Sequence, residues 1–253
     1  ADRSQIDKFD SVVFDGEYAT TLVRFYQPSN CEGCEKVAPI WADLGEKYKD
    51  SKKLLFAEVD CSDEEGGVQL CQKFRIASMP SLILFSPPDK DGMLYILDMG
   101  EEAEAELDAL AANLTSACVA REVESCTPEQ QQQMLPYLGQ GISDLKPIRK
   151  SIRLKFADVV NELSYLAREA ARASNDEKLS KAAKKRQART INENMLIQRA
   201  KMRQLQFEHG PQFRLLNTVI AWVSLGNDKP DEKAAIAAAV KKIKKATKNK
   251  DEV

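Results

Sequence analysis

The chain has 253 residues and a formal net charge of −2, more than one small domain needs and less than three would fill. The near-neutral sum hides a division, because residues 1–120 carry 11 Lys and Arg against 23 Asp and Glu, whereas residues 121–253 carry 26 against 16. The longest apolar run, "FRLLNTVIAWVSL", contains Arg214, Asn217, Thr218 and Ser224 and falls short of the roughly 20 residues a membrane helix needs, so no membrane span is expected.

The first half alternates strand-like and helix-like segments at short spacing, which predicts an α/β domain over residues 1–120. Thr21 to Tyr26 reads as a strand. It is followed by "PSNCEGCEKVAP", Pro28 to Pro39, in which Cys31 and Cys34 stand two residues apart. Cys34 to Tyr48 predicts a helix, since Val37, Ile40, Trp41, Leu44 and Tyr48 recur at steps of three and four. Leu54–Val59 reads as a strand, Val68–Phe74 as a short helix and Ser81–Phe85 as a strand. A turn at "SPPDKDG", a strand at Met93–Leu97 and a helix from Glu102 to Ala117 complete this half.

From Cys118 onward the pattern is helical, and residues 121–253 are expected to form an all-α bundle of four or five helices. Thr127-Pro128-Glu129-Gln130 is a capping-box start, with Thr as N-cap, Pro at the first helical position and Gln at the third. Leu154–Ala173 presents Phe156, Val159, Val160, Leu163, Leu166 and Ala170 on one face. A second long helix is predicted from Asp176 to His209, ending at Gly210-Pro211 with His209 as a C-cap. Phe213–Leu225 predicts another helix, Gly226–Pro230 a turn, and Asp231–Lys248 a last, Lys-rich helix.

Six cysteines, at 31, 34, 61, 71, 118 and 126, fall into three sequential pairs, as disulfides in an oxidising compartment would give. Their spacing does not fix the connectivity. A four-thiolate zinc site is the competing reading, poorly served by the wide gap between Cys61 and Cys71, and no metal is expected. A Cys118–Cys126 bridge would close a short loop and hold the first turn of the helical half, adding about 2 to 3 kcal/mol by loop-closure reasoning. Asn113-Leu114-Thr115 is a glycosylation sequon, and the chain ends Lys-Asp-Glu-Val, one residue from the reticulum retrieval signal Lys-Asp-Glu-Leu. Together these point to the endoplasmic reticulum lumen or the secretory pathway.

Cys31, at a helix N-terminus, sits where backbone N–H groups and the helix dipole stabilise a thiolate. Other chemistries lack their residues: His209 is the one histidine, which removes Ser-His-Asp triads and two-histidine metal sites, and no phosphate-cradling glycine loop appears. No cofactor is expected. The basic run "KLSKAAKKRQAR", Lys178–Arg189, lacks aromatic residues and reads as a solvated helix face rather than a nucleic-acid site, with an acidic protein partner or the acidic first half as its other use.

The stretches "LVRFYQPSNCEGCEKVAPIWADLGEKY" and "FAEVDCSDEEGGVQLCQKFRIASMPSLILF" resemble the thioredoxin fold, and more narrowly the protein disulfide isomerase family, over residues 5 to 117. Pro39 in the helix and Met79-Pro80 in the cis-proline place are part of the match. The resemblance implies that Cys31 attacks, that Cys34 resolves the mixed disulfide, and that Met79 and Pro80 shape an edge for extended substrates. Cys61 and Cys71 likewise resemble a structural disulfide of some isomerase-family domains, two buried free thiols being the alternative. The architecture is similar to that of the two-domain reticulum proteins with a helical D domain, the Windbeutel-type escort proteins among them.

Departures from the family pattern accompany the match. Ser29-Asn30 stands for the usual Trp with one residue added, and Glu32-Gly33 replaces Gly-His between the cysteines. Losing the His cation and adding the acids Glu32 and Glu35 both disfavour a thiolate. The family's buried Glu, paired with a Lys on the cis-proline strand, maps to Arg24 and Ile83, so that route of proton relay is absent and Arg24 becomes a site-tuning candidate. The resulting expectation is a thiol–disulfide oxidoreductase acting on cysteines of client proteins, with weakened or specialised activity. The alternative is a non-catalytic chaperone, escort or structural subunit that uses the fold as a protein-binding surface.

Overall fold

In a computed structural model of the chain, residues 3–15, 18–118 and 126–228 are described, together with isolated positions between 234 and 245. The Lys-Asp-Glu-Val tail and most of the predicted Asp231–Lys248 helix lie outside the described residues.

Strand β1 (Thr20–Tyr26) is buried along almost its whole length and occupies the middle of a four-stranded sheet. It pairs in parallel with β2 (Leu54–Asp60) and antiparallel with β3 (Ser81–Phe85), which in turn pairs antiparallel with β4 (Met93–Tyr95). Side chains alternate along each strand, so two apolar sets emerge on opposite faces. Val23, Phe25, Ile83 and Phe85 pack against α1 (Arg3–Val13) and α3 (Gly67–Lys73). Leu22, Leu54, Leu82 and Leu84 pack against α2 (Glu32–Lys47) and α4 (Ala103–Ser116). Each fully buried Leu or Phe contributes about 1.5 to 3 kcal/mol of transfer free energy, which is what holds the helices to the sheet.

Helix α1 had no counterpart in the sequence reading, although Ile6, Phe9 and Val13 recur at steps of three and four. It is fixed by aromatic edges: Phe9 and Phe14 meet the ring of Phe85 at 5.8 Å and 5.5 Å between centroids. The order of elements, the β2-β1-β3-β4 sheet and the helices on both faces make this half a thioredoxin fold.

The second half opens with α5 (Pro128–Met134), started by a reciprocal cap: Gln130 N–H donates to Thr127 Oγ1 at 3.3 Å, and Thr127 N–H donates to Gln130 Oε1 at 2.9 Å. Helices α6 (Ile142–Asn175) and α7 (Lys181–Asp228) then form a long hairpin. Its interior is built from Leu145, Ile152, Phe156 and Val159 against Met202, Phe213, Leu216 and Ile220.

Helix α7 corrects the sequence reading. It runs without a break through Gly210-Pro211 and on through Gly226, so His209 is not a C-cap but a mid-helix residue whose Nε2 lies 2.9 Å from Lys155 Nζ. Pro211 withholds a single N–H, whose acceptor would be the carbonyl of Phe207. Phe207 is 87% exposed, so water can satisfy that carbonyl. The loss of about 3 kcal/mol is outweighed by burying Met202 on one side of the proline and Phe213, Leu216, Val219 and Ile220 on the other.

The two halves share a core. Met93 of β4 belongs to the apolar cluster of α6 and α7, with Leu94 and Ile96 packed against it. Polar contacts surround this joint: Arg153 of α6 pairs with the buried Asp89 and, at 3.0 Å, with Asp91. Arg203 of α7 reaches Asp98 and Glu106 at 3.0 Å each, and Gln206 Nε2 donates to the Leu94 carbonyl at 2.8 Å. The otherwise open edge of the sheet is thereby covered.

Candidate active site

Cys31 is the N-cap of α2 and is joined to Cys34 by a disulfide, with Cα atoms 5.1 Å apart. Asn30, at φ 57°, turns the chain into the helix in the left-handed region that Asn tolerates better than most residues. The backbone N–H of Cys34 donates to Cys31 Sγ at 3.2 Å, the contact that would stabilise a thiolate there. Cys31 is half-buried and reachable, whereas Cys34 is only 3% exposed. The geometry supplies an outer sulfur that can be attacked or can attack, and an inner one shielded behind it.

The Met79–Pro80 peptide is cis, and Pro80 lies directly against the cysteine loop. A Cβ built on Gly33 would stand 3.0 Å from Pro80 Cδ, so the proline ring closes tightly over the turn between the cysteines. Met79 is 37% exposed beside it.

Behind the bridge, Arg24 is 4% exposed on the α2 side of the sheet. Its Nη1 donates to the Cys34 carbonyl at 3.5 Å, its Nη2 pairs with Glu58, and its guanidinium lies 4.6 Å from the Tyr26 ring centroid and 5.8 Å from that of Trp41. Burial, followed by the carboxylates of Glu58 and Asp60, pushes the Tyr26 phenol above its ordinary value, with Arg24 opposing.

The charged partner of position 24 therefore sits on β2, not on the cis-proline strand where the sequence reading placed it. Register explains the difference: Arg24 lies opposite Glu58 and Leu82, while Ile83 lies opposite Val23 and points to the other face of the sheet. Glu58 could have been found from parity, because Leu54, Phe56 and Glu58 share the face that α2 covers. An ion pair survives here with its polarity opposite to the Glu–Lys pair that the resemblance implies.

Glu32 forms an i,i+4 ion pair with Lys36 at 2.8 Å, and this hydrogen bond holds its carboxyl below the usual range. Its charge next to Cys31 is thus ionised but partnered and open to solvent.

The remaining cysteines are also bridged. Cys61 at the end of β2 joins Cys71 in α3, and Cys118 after α4 joins Cys126 before α5, with Cα separations of 5.7 Å and 5.1 Å. All six sulfurs are thus in disulfides. Asn113 is exposed on α4, where its Oδ1 accepts from Arg214 at 3.4 Å.

Comparison with known proteins agrees with this arrangement. The thioredoxin family model matches residues 3–113. A protein disulfide-isomerase-like protein of Emiliania huxleyi, EhSep2, is 30% identical over 164 residues, covering 64% of this chain and 70% of that protein. That stretch is longer than the thioredoxin match, so the likeness reaches into the helical half. Protein disulfide-isomerase 1 of Dictyostelium discoideum is 37% identical over 87 residues, and the chain spans only 23% of its length. Among solved structures, the J-Trx1 fragment of ERdj5 aligns with 26% identity and a TM-score of 0.34, over 43% of this chain and 48% of that one. On the strength of the EhSep2 match and the thioredoxin domain, the chain belongs to the protein disulfide isomerase family.

Proposed function

We propose that the protein is a thiol–disulfide oxidoreductase that acts on cysteines of client proteins in the lumen of the endoplasmic reticulum. The observation that carries this reading is the Cys31–Cys34 bridge at the head of α2, packed against cis-Pro80, with the outer sulfur accessible and the inner one buried. A client thiolate attacks Cys31 Sγ, forming a mixed disulfide and releasing Cys34 as a thiolate. A second client thiolate attacks the client sulfur of that mixed disulfide and displaces Cys31. The client leaves oxidised by two electrons, and the pair is left as two thiols after taking up two protons. The reverse sequence, begun by the Cys31 thiolate, reduces a client bridge.

The activity is specialised by what surrounds the pair. Arg24 places a cation behind Cys34 where the resemblance implies a proton-accepting carboxylate, and the carboxylate of this site is its partner Glu58 on β2. Met79 and Pro80 are the edge on which a client strand would lie. Lumenal residence is favoured by three disulfides in one chain, which persist only where the surroundings are oxidising. There Asn113, exposed on α4, is the acceptor for a glycan, and the exposed cations at the start of α7 are available to an acidic protein partner.

Replacing Cys31 by Ser tests the reading. Insulin reduction and oxidative refolding of reduced ribonuclease should fall to the level without enzyme; unchanged rates would refute thiol exchange at this site.

A further inference from the structure

A groove of about 550 Å³ runs from the cysteine loop along the joint between the two halves. That volume is within the range of about 300 to 1,000 Å³ common for ligand sites. Gly33 and Pro80 line it beside the cysteines, Met93 and Leu97 line it from the first half, and from the second half it is lined by a face of α6 on which Ala157, Val160, Ser164 and Ala167 recur at steps of three and four. The small side chains keep the wall back from the sheet, so the space stays open although the halves share a core just beside it.

Its charge differs from that of the domain it borders. Residues 1–120 carry twice as many acids as bases, yet Lys73, Arg75, Lys90, Arg153 and Arg199 line the groove against the single carboxylate of Asp91. Lys73 is partnered by Asp10, and Arg153 by Asp89 and Asp91. Arg75 and Arg199 form no ion pair among the described residues, so the groove holds cationic capacity that its own walls leave unneutralised.

We propose that this groove is the outer half of the client site, and that it takes an extended apolar segment of an unfolded chain bearing acidic residues. Its reacting cysteine would lie at the Gly33–Pro80 end. The inference rests on the oxidoreductase reading for the role of that end. What it adds is the wall: α6 of the helical half contacts the client directly, and the sequence preference is set by Arg75 and Arg199. Continuity with the cis-proline edge, apolar walls and the local excess of cations select such a segment over a basic or polar one.

The test uses the full oxidised chain and fluorescein-labelled, cysteine-free peptides of alternating Leu and Ser, one ending in a run of Glu and its counterpart in a run of Lys. Binding followed by anisotropy reads no thiol chemistry, so it can fail while Cys31→Ser still abolishes exchange, and the reverse. The acidic peptide should bind in preference to the basic one. Ala157→Trp, which fills the groove, should weaken acidic-peptide binding about tenfold or more. Arg199→Glu, a surface change that keeps the test valid if the tryptophan variant unfolds, should reduce or invert the preference. Equal binding by wild type and by a folded Ala157→Trp, or equal binding of the two peptides, would overturn the proposal. So would concentration-dependent dimerisation in sedimentation with no peptide bound, since a second copy would then be the occupant.

Discussion

The reversed ion pair behind the cysteines can be turned back, and the structure states what that should cost. Arg24→Glu places a second carboxylate directly opposite Glu58 at a position that is 4% exposed. Breaking a buried pair and leaving an unmatched charge costs about 3 to 5 kcal/mol; the Glu58 side chain is 40% exposed, so the lower end, about 3 kcal/mol, is expected. Adding Glu58→Lys restores opposite charges across the same register and should recover most of that loss, giving a coupling of about 2 to 3 kcal/mol in a double-mutant cycle. Trp41, 5.8 Å from the guanidinium of Arg24, is a local reporter; with Trp222→Phe as background, its fluorescence in urea follows the thioredoxin half. There is an internal check on sign. Burial and Glu58 would raise the pKa of the new carboxyl at position 24, so the single variant's deficit should shrink as pH falls towards and below that raised value. If the double variant is no more stable than Arg24→Glu, or if the deficit grows in acid, the two positions do not act as a pair and the assignment of Glu58 is wrong.

Two further outcomes follow from the joint and its staple. Replacing Cys118 and Cys126 by Ser opens a loop of sequence separation 8 and should lower stability by about 2.5 kcal/mol, read from the urea midpoint; no loss would mean the helical half is held by α6 and α7 alone. Asp89 is 3% exposed, and burial raises its carboxyl above the ordinary value despite Arg153. The folded state therefore holds that proton more tightly, and the stability gained from it is present in acid and lost as pH rises through the raised value. Asp89→Asn removes this dependence, so its deficit relative to wild type should be largest in acid and shrink towards neutrality; a deficit that widens with pH would contradict the burial argument.

Much of the first half was legible because its central strands, β1 and β3, are buried on both faces and its helices are one-sided: "TTLVRFY" and the Val37-Trp41-Leu44 spacing read directly as β1 and α2. What was missed depends on facts that no local pattern carries. The partner of Arg24 is set by pairing between strands 34 residues apart, and an error of one position sends the inference to the wrong face of the sheet. Helix α1 is held mainly by two aromatic rings from distant segments, Phe74 and Phe85, with only a weak local signal. Gly210-Pro211 reads as a stop because local chemistry favours one; α6, alongside, supplies the packing that overrides it.

The continuity of α7 has a mechanical meaning. At 48 residues and about 1.5 Å of rise each, its axis runs about 72 Å; it contributes Met195 and Arg199 to the groove, pairs with Asp98 and Glu106 through Arg203, anchors to β4 through Gln206, and closes the core with Phe213 and Trp222. A helix that stays continuous across one missing hydrogen bond, at Pro211, passes tilt along its length with a single point of give. Widening the groove at one end therefore loads the β4 anchor and strains the packing at the other, so the clearance of the groove is tied to the integrity of a core far from the cysteines.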